Sequence, residues 1–216
     1  MKGWPAVLDW MARIRVAGVE SVATGVGLSV RQVHRHAAML AAEGFLKRPR
    51  VADDGGPMLV VTPRGVREAG HEVRSGTAPG SLVALLHGRG VGWIAAHCER
   101  SGRPWYGPLE LRDTGFQLRL GPRIDRTPRT HLPDLGFILD EERWAVEFER
   151  VQKSRERLRW ILDAYHTAQL GRELECVLYV CATPRIERVV QGVASEIGLD
   201  LVTRQLERII REARER

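Results

Sequence analysis

Cysteine is scarce in this sequence: Cys98, Cys176 and Cys181 are the only three in 216 residues. The number is odd and no two form a Cys-x-x-Cys pair, so neither a disulfide framework nor a thiolate zinc site is indicated. Two of them fall in an apolar run and read as reduced thiols. Long apolar stretches are also missing. None approaches the ~20 residues that a membrane helix needs. Near the start, Asp9, Arg13 and Arg15 interrupt the apolar core that a signal peptide requires. The expectation is a soluble, cytoplasmic protein with no membrane partner.

What is present is a hydrophobic fraction of 44%, enough for a real core, in a chain long enough for one or two domains. The formal net charge is +6 and the isoelectric point about 9.8. That balance points to an anionic partner, double-stranded DNA first among them. The plainer alternative is that arginine is simply abundant.

The first third alternates short periodic runs with glycine stops. Trp4 to Val16 has apolar residues at helical spacing, namely Val7, Leu8, Trp10, Met11 and Ile14, and Gly18 ends it. A short run, 19–26, is followed by a turn between Gly25 and Gly27. Ser29 then caps a helix from Val30 to Glu43, stopped by Gly44. Its inward face is Val33, Ala37, Leu40 and Ala41, and its outward face holds Arg31, Gln32, His34 and Arg35. A short helix, a tight turn and a longer basic helix is helix-turn-helix geometry. Residues 44–48 and 58–62 read as a β-hairpin, the wing. Thr62-Pro63 starts another helix with Pro at its first position. These residues resemble the MarR-type winged helices of many regulators. The expected DNA contacts are Arg31, Gln32, His34 and Arg35 in the major groove, with Arg48, Arg50 and Arg64 on phosphates. His34 and His36 stand two apart, point different ways and suggest no metal; both read as surface residues.

Ser75 to Gly80 is small, polar and broken by Pro and Gly, so it is the expected linker. Beyond it, 82–99 is apolar and helical, with the Gly88-Arg-Gly90 step a place for it to break in two. Residues 116–120 alternate as a half-buried strand. Residues 121–130 form a loop carrying Arg123, Arg126 and Arg129. The run from His131 to Arg150 reads as two strands joined by a polar turn. Leu135, Phe137 and Leu139 lie on the first. Trp144, Val146 and Phe148 share one face of the second, which puts Glu147 and Glu149 on the other. If the strands pair, Asp134 sits beside Glu147. Three crowded carboxylates are costly without a cation, and Mg²⁺ with oxygen ligands is the typical one. A helix from Arg155 to Leu170 follows, with Leu158, Ile161, Leu162 and Tyr165 inward. Then come a continuous apolar strand, 175–181, a helix to Ile197, a short strand at 198–202 and a charged final helix. That helix packs on its own domain or on a second copy. Glu99 and Glu110 are further acids that read first as solvated.

A Pro133-Asp134 at one strand's end with Glu147-x-acid on the next resembles the PD-(D/E)XK nuclease superfamily. The whole, from about Ala12 to Leu199, resembles the replication-relaxation family of bacterial mobile elements, a winged helix followed by a nuclease-like domain. The segment Leu86-His87, Trp105 and Leu109 to Arg112 adds to this likeness. The fold class implied has two domains, α+β then α/β. A winged helix-turn-helix spans 1–74, a linker 75–80 and a restriction-endonuclease-like α/β domain 81–216. The sequence departs from the nuclease pattern at Glu149, where most members carry Lys. In related domains a basic residue on the following helix replaces that Lys, and Lys153 is the candidate here.

Two readings follow from the resemblance. In one, Asp134 and Glu147 bind Mg²⁺, Glu149 or Lys153 orients a water, and Arg126 or Arg129 steadies charge during DNA nicking or cleavage. In the other, the nuclease-like domain is a relic that serves dimerisation, or docking of a replication or transfer protein, while the winged helix binds DNA. A regulator with a ligand-sensing second domain is a third, weaker reading.

Overall fold

The structure is a computed structural model that describes residues 3–49, 51, 56–73, 81–120 and 129–215. Among them are eight helices and ten strands in a mixed α/β arrangement. They form two compact units, Met1–Gly102 with Ile209–Arg216, and Arg103–Arg208. No described helix is long and apolar enough to cross a membrane.

The first unit opens with α1 (Trp4–Ile14), which buries Val7, Leu8 and Met11. The helix does not run on to Val16. Arg15 turns into the left-handed region at φ 72 and closes it, and Val16 belongs instead to strand β1 (Val16–Gly18). β-Branched Val16 is better placed there, on a pleated surface. Helix α2 (Val19–Val26) ends at left-handed Gly27. Helix α3 (Val30–Ala42) starts with a capping box between Ser29 and Gln32. Strands β2 (Leu46–Lys47) and β3 (Met58–Val61) pair antiparallel, and β1 pairs with the other edge of β3. Helix α4 (Pro63–Glu68) is capped by the Thr62 hydroxyl.

The compact units divide after Gly102; the expected linker, 75–80, lies outside the described residues. The reason is α5 (Leu82–Arg100), one unbroken helix that packs on β1 and α2. A Cβ at Gly88 would stand 2.7 Å from the Val16 side chain, and one at Gly92 would stand 2.9 Å from Ala17. The glycines therefore do not break the helix; two of them let it approach the strand. From Ile209 on, α8 (Leu206–Glu215) belongs to this unit too. Ile209 and Ala213 are buried, and Arg214 lies over the Trp93 ring at 5.0 Å. The apolar side of that final helix is thus taken up by its own chain.

The second unit is built on a five-stranded sheet of order β10-β9-β8-β7-β4. Its strands are β4 (Trp105–Tyr106), β7 (Leu135–Leu139), β8 (Glu142–Glu149), β9 (Cys176–Cys181) and β10 (Val202–Gln205). Strands β8, β9 and β10 run parallel, while β7 and β4 are antiparallel additions. Between β7 and β8, Asp140 and Glu141 both take positive φ, 51 and 70. That is the primed two-residue turn whose twist matches a hairpin. A separate ribbon pairs β5 (Leu118–Leu120) with β6 (Arg129–His131), so the segment before Pro133 ends in a strand and not a loop. Helices α6 (Arg155–Leu170) and α7 (Pro184–Ile197) follow β8 and β9. They share a core with one sheet face, in which Leu158, Leu162 and Tyr165 meet Ala145, Val177 and Tyr179. Gly136 sits on this face because a Cβ there would come within 2.8 Å of the Phe116 ring.

Candidate functional site

Side chains alternate along β8, so Ala145, Glu147 and Glu149 point to the face that α6 covers, while Val146 and Phe148 point away. Leu135 is opposite Val146 in the antiparallel register, which sets Asp134 opposite Glu147. Two hydrogen bonds fix this. The Asp134 N–H donates to the Val146 carbonyl at 3.0 Å, and the Phe148 N–H donates to Asp134 Oδ2 at 2.8 Å. The structure therefore brings Asp134, Glu147 and Glu149 to one end of the sheet.

Glu147 and Glu149 are each only 3% exposed. A buried carboxylate is costly unless hydrogen bonds and counter-charge replace its water. Here each has both. Glu147 Oε1 accepts from the Tyr165 hydroxyl at 2.5 Å and lies 2.5 Å from His131 Nε2. The His131 and Tyr165 rings meet edge to face with centroids 5.8 Å apart. Glu149 Oε2 accepts from Lys153 Nζ and, at 3.4 Å, from the Tyr179 hydroxyl. Lys153 reaches it from the short link between β8 and the Ser154 cap of α6.

Burial works against a charged His131 ring, but the adjoining Glu147 carboxylate, by charge and hydrogen bond, more than offsets this and holds its pKa above the usual value. Burial pushes the Glu149 carboxyl up, and Lys153 pulls it back only in part. Burial, then the neighbouring Glu147, raises Tyr165 and Tyr179 well above the usual phenol. Both hydroxyls therefore stay protonated donors. The Cys181 thiol, in register with Glu149, is pushed up to about 12 by burial and has no thiolate chemistry to offer.

Asp134, Glu147, Glu149 and Lys153, all expected from the sequence, thus lie together. His131, Tyr165 and Tyr179 complete the cluster and were missed as site residues. One signal for Tyr165 was present: a phenol on an otherwise aliphatic inner stripe needs a partner for its hydroxyl. Glu110 lies elsewhere, its carboxylate accepting from the Gly107 N–H at 2.7 Å. Glu99 is exposed in the last turn of α5.

Oxygen donors of this kind suit Mg²⁺ in type. One oxygen of each glutamate is already engaged, however. Glu147 Oε1 and Glu149 Oε2 take two chain donors each, and Lys153 brings the cation that a metal would otherwise supply. Among the described residues no group of three or more Asp, Glu, His or Cys is disposed to hold an ion.

In the first unit α3 buries Val33, His36, Ala37 and Leu40. Arg31 and Arg35 are exposed on its other side and His34 is half-buried. His36 is not a surface residue: it is 4% exposed, and burial lowers its pKa, with Arg35 adding to the effect. Gln32 is exposed, but its Oε1 accepts from the Ser29 N–H at 2.9 Å and hydroxyl at 2.8 Å, so its carbonyl serves the cap. Arg48 is exposed just after β2. Arg64 lies over the Phe45 ring at 4.9 Å. Arg50 and Arg126 lie outside the described residues, as does the side chain of Arg129, whose backbone opens β6.

No protein-family model and no curated protein matches the sequence. The crystal structure of protein VC1899 from Vibrio cholerae is similar over 98% of this chain, at 11% identity and a TM-score of 0.34. The chain covers 49% of that protein, about half its length. A likeness of that degree says nothing about function.

Proposed function

We propose that this protein binds double-stranded DNA through α3 of a winged helix-turn-helix. Its second unit would be a PD-(D/E)XK nuclease-like fold whose carboxylates are balanced by the chain's own cations. The observation that carries the reading is the division of α3. One side is buried, while Arg31 and Arg35 stand exposed near its start, behind a Ser29 cap and beside a β-hairpin. That order of elements, with three strands in the order β1-β3-β2, suits a helix laid in the major groove. The net charge of +6 supports an anionic partner.

The chain's own donors on Glu147 Oε1 and Glu149 Oε2 favour a second unit that binds or docks over one that cleaves. Its role would then be that of a scaffold in a DNA-associated assembly, of the kind that the replication-relaxation resemblance implies.

Selection from a randomised duplex pool, followed by fluorescence anisotropy, tests the DNA reading. Arg31→Ala with Arg35→Ala should lose about tenfold or more, since a good base contact is worth ~1–3 kcal/mol. Wild-type protein that binds no duplex, or a double variant that binds as wild type, refutes it. Incubation with supercoiled plasmid and Mg²⁺ or Mn²⁺ tests the second part. Nicking by wild type that Glu147→Gln abolishes would overturn the internally balanced site.

A further inference from the structure

Parallel strands β8 and β9 end level with each other, Glu149 facing Cys181 in register. Each is followed by a helix, α6 starting at Arg155 and α7 at Pro184. Between these helices lies a cavity of about 420 Å³ lined by Arg155, Arg185, Arg188, Val189 and Gly192. Its volume is in the range of ligand clefts, about 300–1,000 Å³. Its lining comes from the first turn of α6 and the first three turns of α7.

The cationic lining is only partly matched. Arg155 is paired with Glu196, and Arg159 approaches the same carboxylate at 3.8 Å. Arg185 and Arg188 are exposed, and among the described residues neither has an ion pair or hydrogen bond. Gly192 adds an independent observation. It stands inside α7, where glycine costs a helix about 1 kcal/mol. A Cβ there would meet nothing within 4 Å, so packing does not require glycine. Gly192 is exposed and lines the cavity, so a longer side chain there would stand in it.

We propose that this groove grips the phosphodiester backbone of nucleic acid, giving the second unit a DNA contact of its own, separate from α3. Guanidinium groups match phosphate in a two-pronged geometry that a point charge does not offer. The lining has no aromatic ring on which a base could stack, so the contact reads backbone and not sequence. The inference rests on the DNA-binding reading above for the identity of the ligand.

The test is anisotropy of the full chain on duplexes of unrelated sequence between 50 and 200 mM KCl. Each phosphate contact contributes about 0.9 to the slope of log affinity against log salt. Arg185→Ala with Arg188→Ala should therefore lower the slope by about 1.8 on every duplex. Over that fourfold salt range wild type should lose about twelvefold more affinity than the variant. Gly192→Glu, which leaves both arginines in place, should weaken binding at each salt concentration while the thermal midpoint stays level or rises. An unchanged slope, or a loss confined to one duplex, overturns the inference. So does a Gly192→Glu protein that binds as wild type. A synthetic acidic peptide bound by wild type but not by the arginine variant, with the DNA slope unmoved, would assign the groove to peptide and overturn it too. The Arg31/Arg35 variant separates the two claims. If it loses binding while the groove variants do not, only the groove falls. If the groove variants alone lose binding, the α3 reading falls and the groove stands. A wild type that binds no duplex refutes both.

Discussion

Replacing Tyr165 with Phe removes one oxygen and leaves the ring. Tyr165 is fully buried, and its hydroxyl donates to Glu147 at 2.5 Å. The phenol's raised pKa means it is a donor throughout the ordinary pH range. A hydrogen bond to a charged group contributes about 1.5–3 kcal/mol net, and no water can replace it in a site this closed. His131 still faces the same carboxylate oxygen in the variant, which limits the loss. We therefore expect Tyr165→Phe to cost about 2 kcal/mol, near the lower part of that range. For a chain of this size that is about 4–8 °C in thermal midpoint.

Urea unfolding followed by circular dichroism and tryptophan fluorescence gives the free energy, provided the slope with denaturant is unchanged. The cycle with Glu147→Gln isolates the pair. Once the carboxylate is an amide, the second substitution should cost less by about 1 kcal/mol or more. Millimolar Mg²⁺ should not restore the lost stability, because the chain and not a metal satisfies this carboxylate. A Tyr165→Phe protein within about 0.5 kcal/mol of wild type refutes the reasoning, that margin being what an unremarkable surface change produces. Recovery by Mg²⁺ refutes the view that the cluster is internally balanced.

His131 has a folded-state pKa above its ordinary 6.5, so the stability it adds is fully present below pH 6.5 and fades as pH rises through the folded value. The advantage of wild type over His131→Gln, read from urea unfolding across pH 5 to 9, should shrink upward through that window; an advantage that grows with pH contradicts it. Asp140→Asn with Glu141→Gly puts the favoured Asn-Gly pair where both φ angles are positive, and calorimetry should show about 1 kcal/mol of gain. Gly136→Ala should cost about 1–3 kcal/mol by overpacking against Phe116 and Leu111, with near-ultraviolet dichroism reporting the disturbed ring. Lys153→Met strands the Glu149 carboxylate and should cost about 3–5 kcal/mol in unfolding free energy, while adding Glu149→Gln should recover most of it.

The carboxylate cluster was legible because its parts are local. Alternation along 142–149 separates Glu147 and Glu149 from Val146 and Phe148, and a short turn fixes the register that brings in Asp134. The caps at Ser29, Thr62 and Ser154 could be read for the same reason, since a hydroxyl and an N–H three residues on make a short-range signal. The partners of Glu147 are a different matter. His131 arrives on a ribbon that pairs with 118–120, and Tyr165 arrives from a helix folded back over the sheet. Neither distance is encoded in spacing along the chain. The same holds for α5. Composition marks 75–80 as a break, but the close approach of Gly88 and Gly92 to β1 ties the helix to the first unit. The apolar character of Val16 continues the period of α1, and only the backbone at Arg15 shows where that period stops.

The charge count of the cluster argues for how it is held. Among the described residues, the carboxylates of Asp134, Glu147 and Glu149 share one sheet end with Lys153 and His131. In the nuclease pattern the lysine stands two residues after the glutamate, on the strand itself. Here an acid occupies that strand position, and the amine comes four residues later from the link to α6. Hydrogen bonds add to this, from the Phe148 N–H, the Tyr165 hydroxyl and, at longer range, the Tyr179 hydroxyl. Burial raises the pKa of Glu149, and Lys153 opposes it. The cluster is thus held by the chain's own donors, Lys153 on Glu149 and Tyr165 with His131 on Glu147.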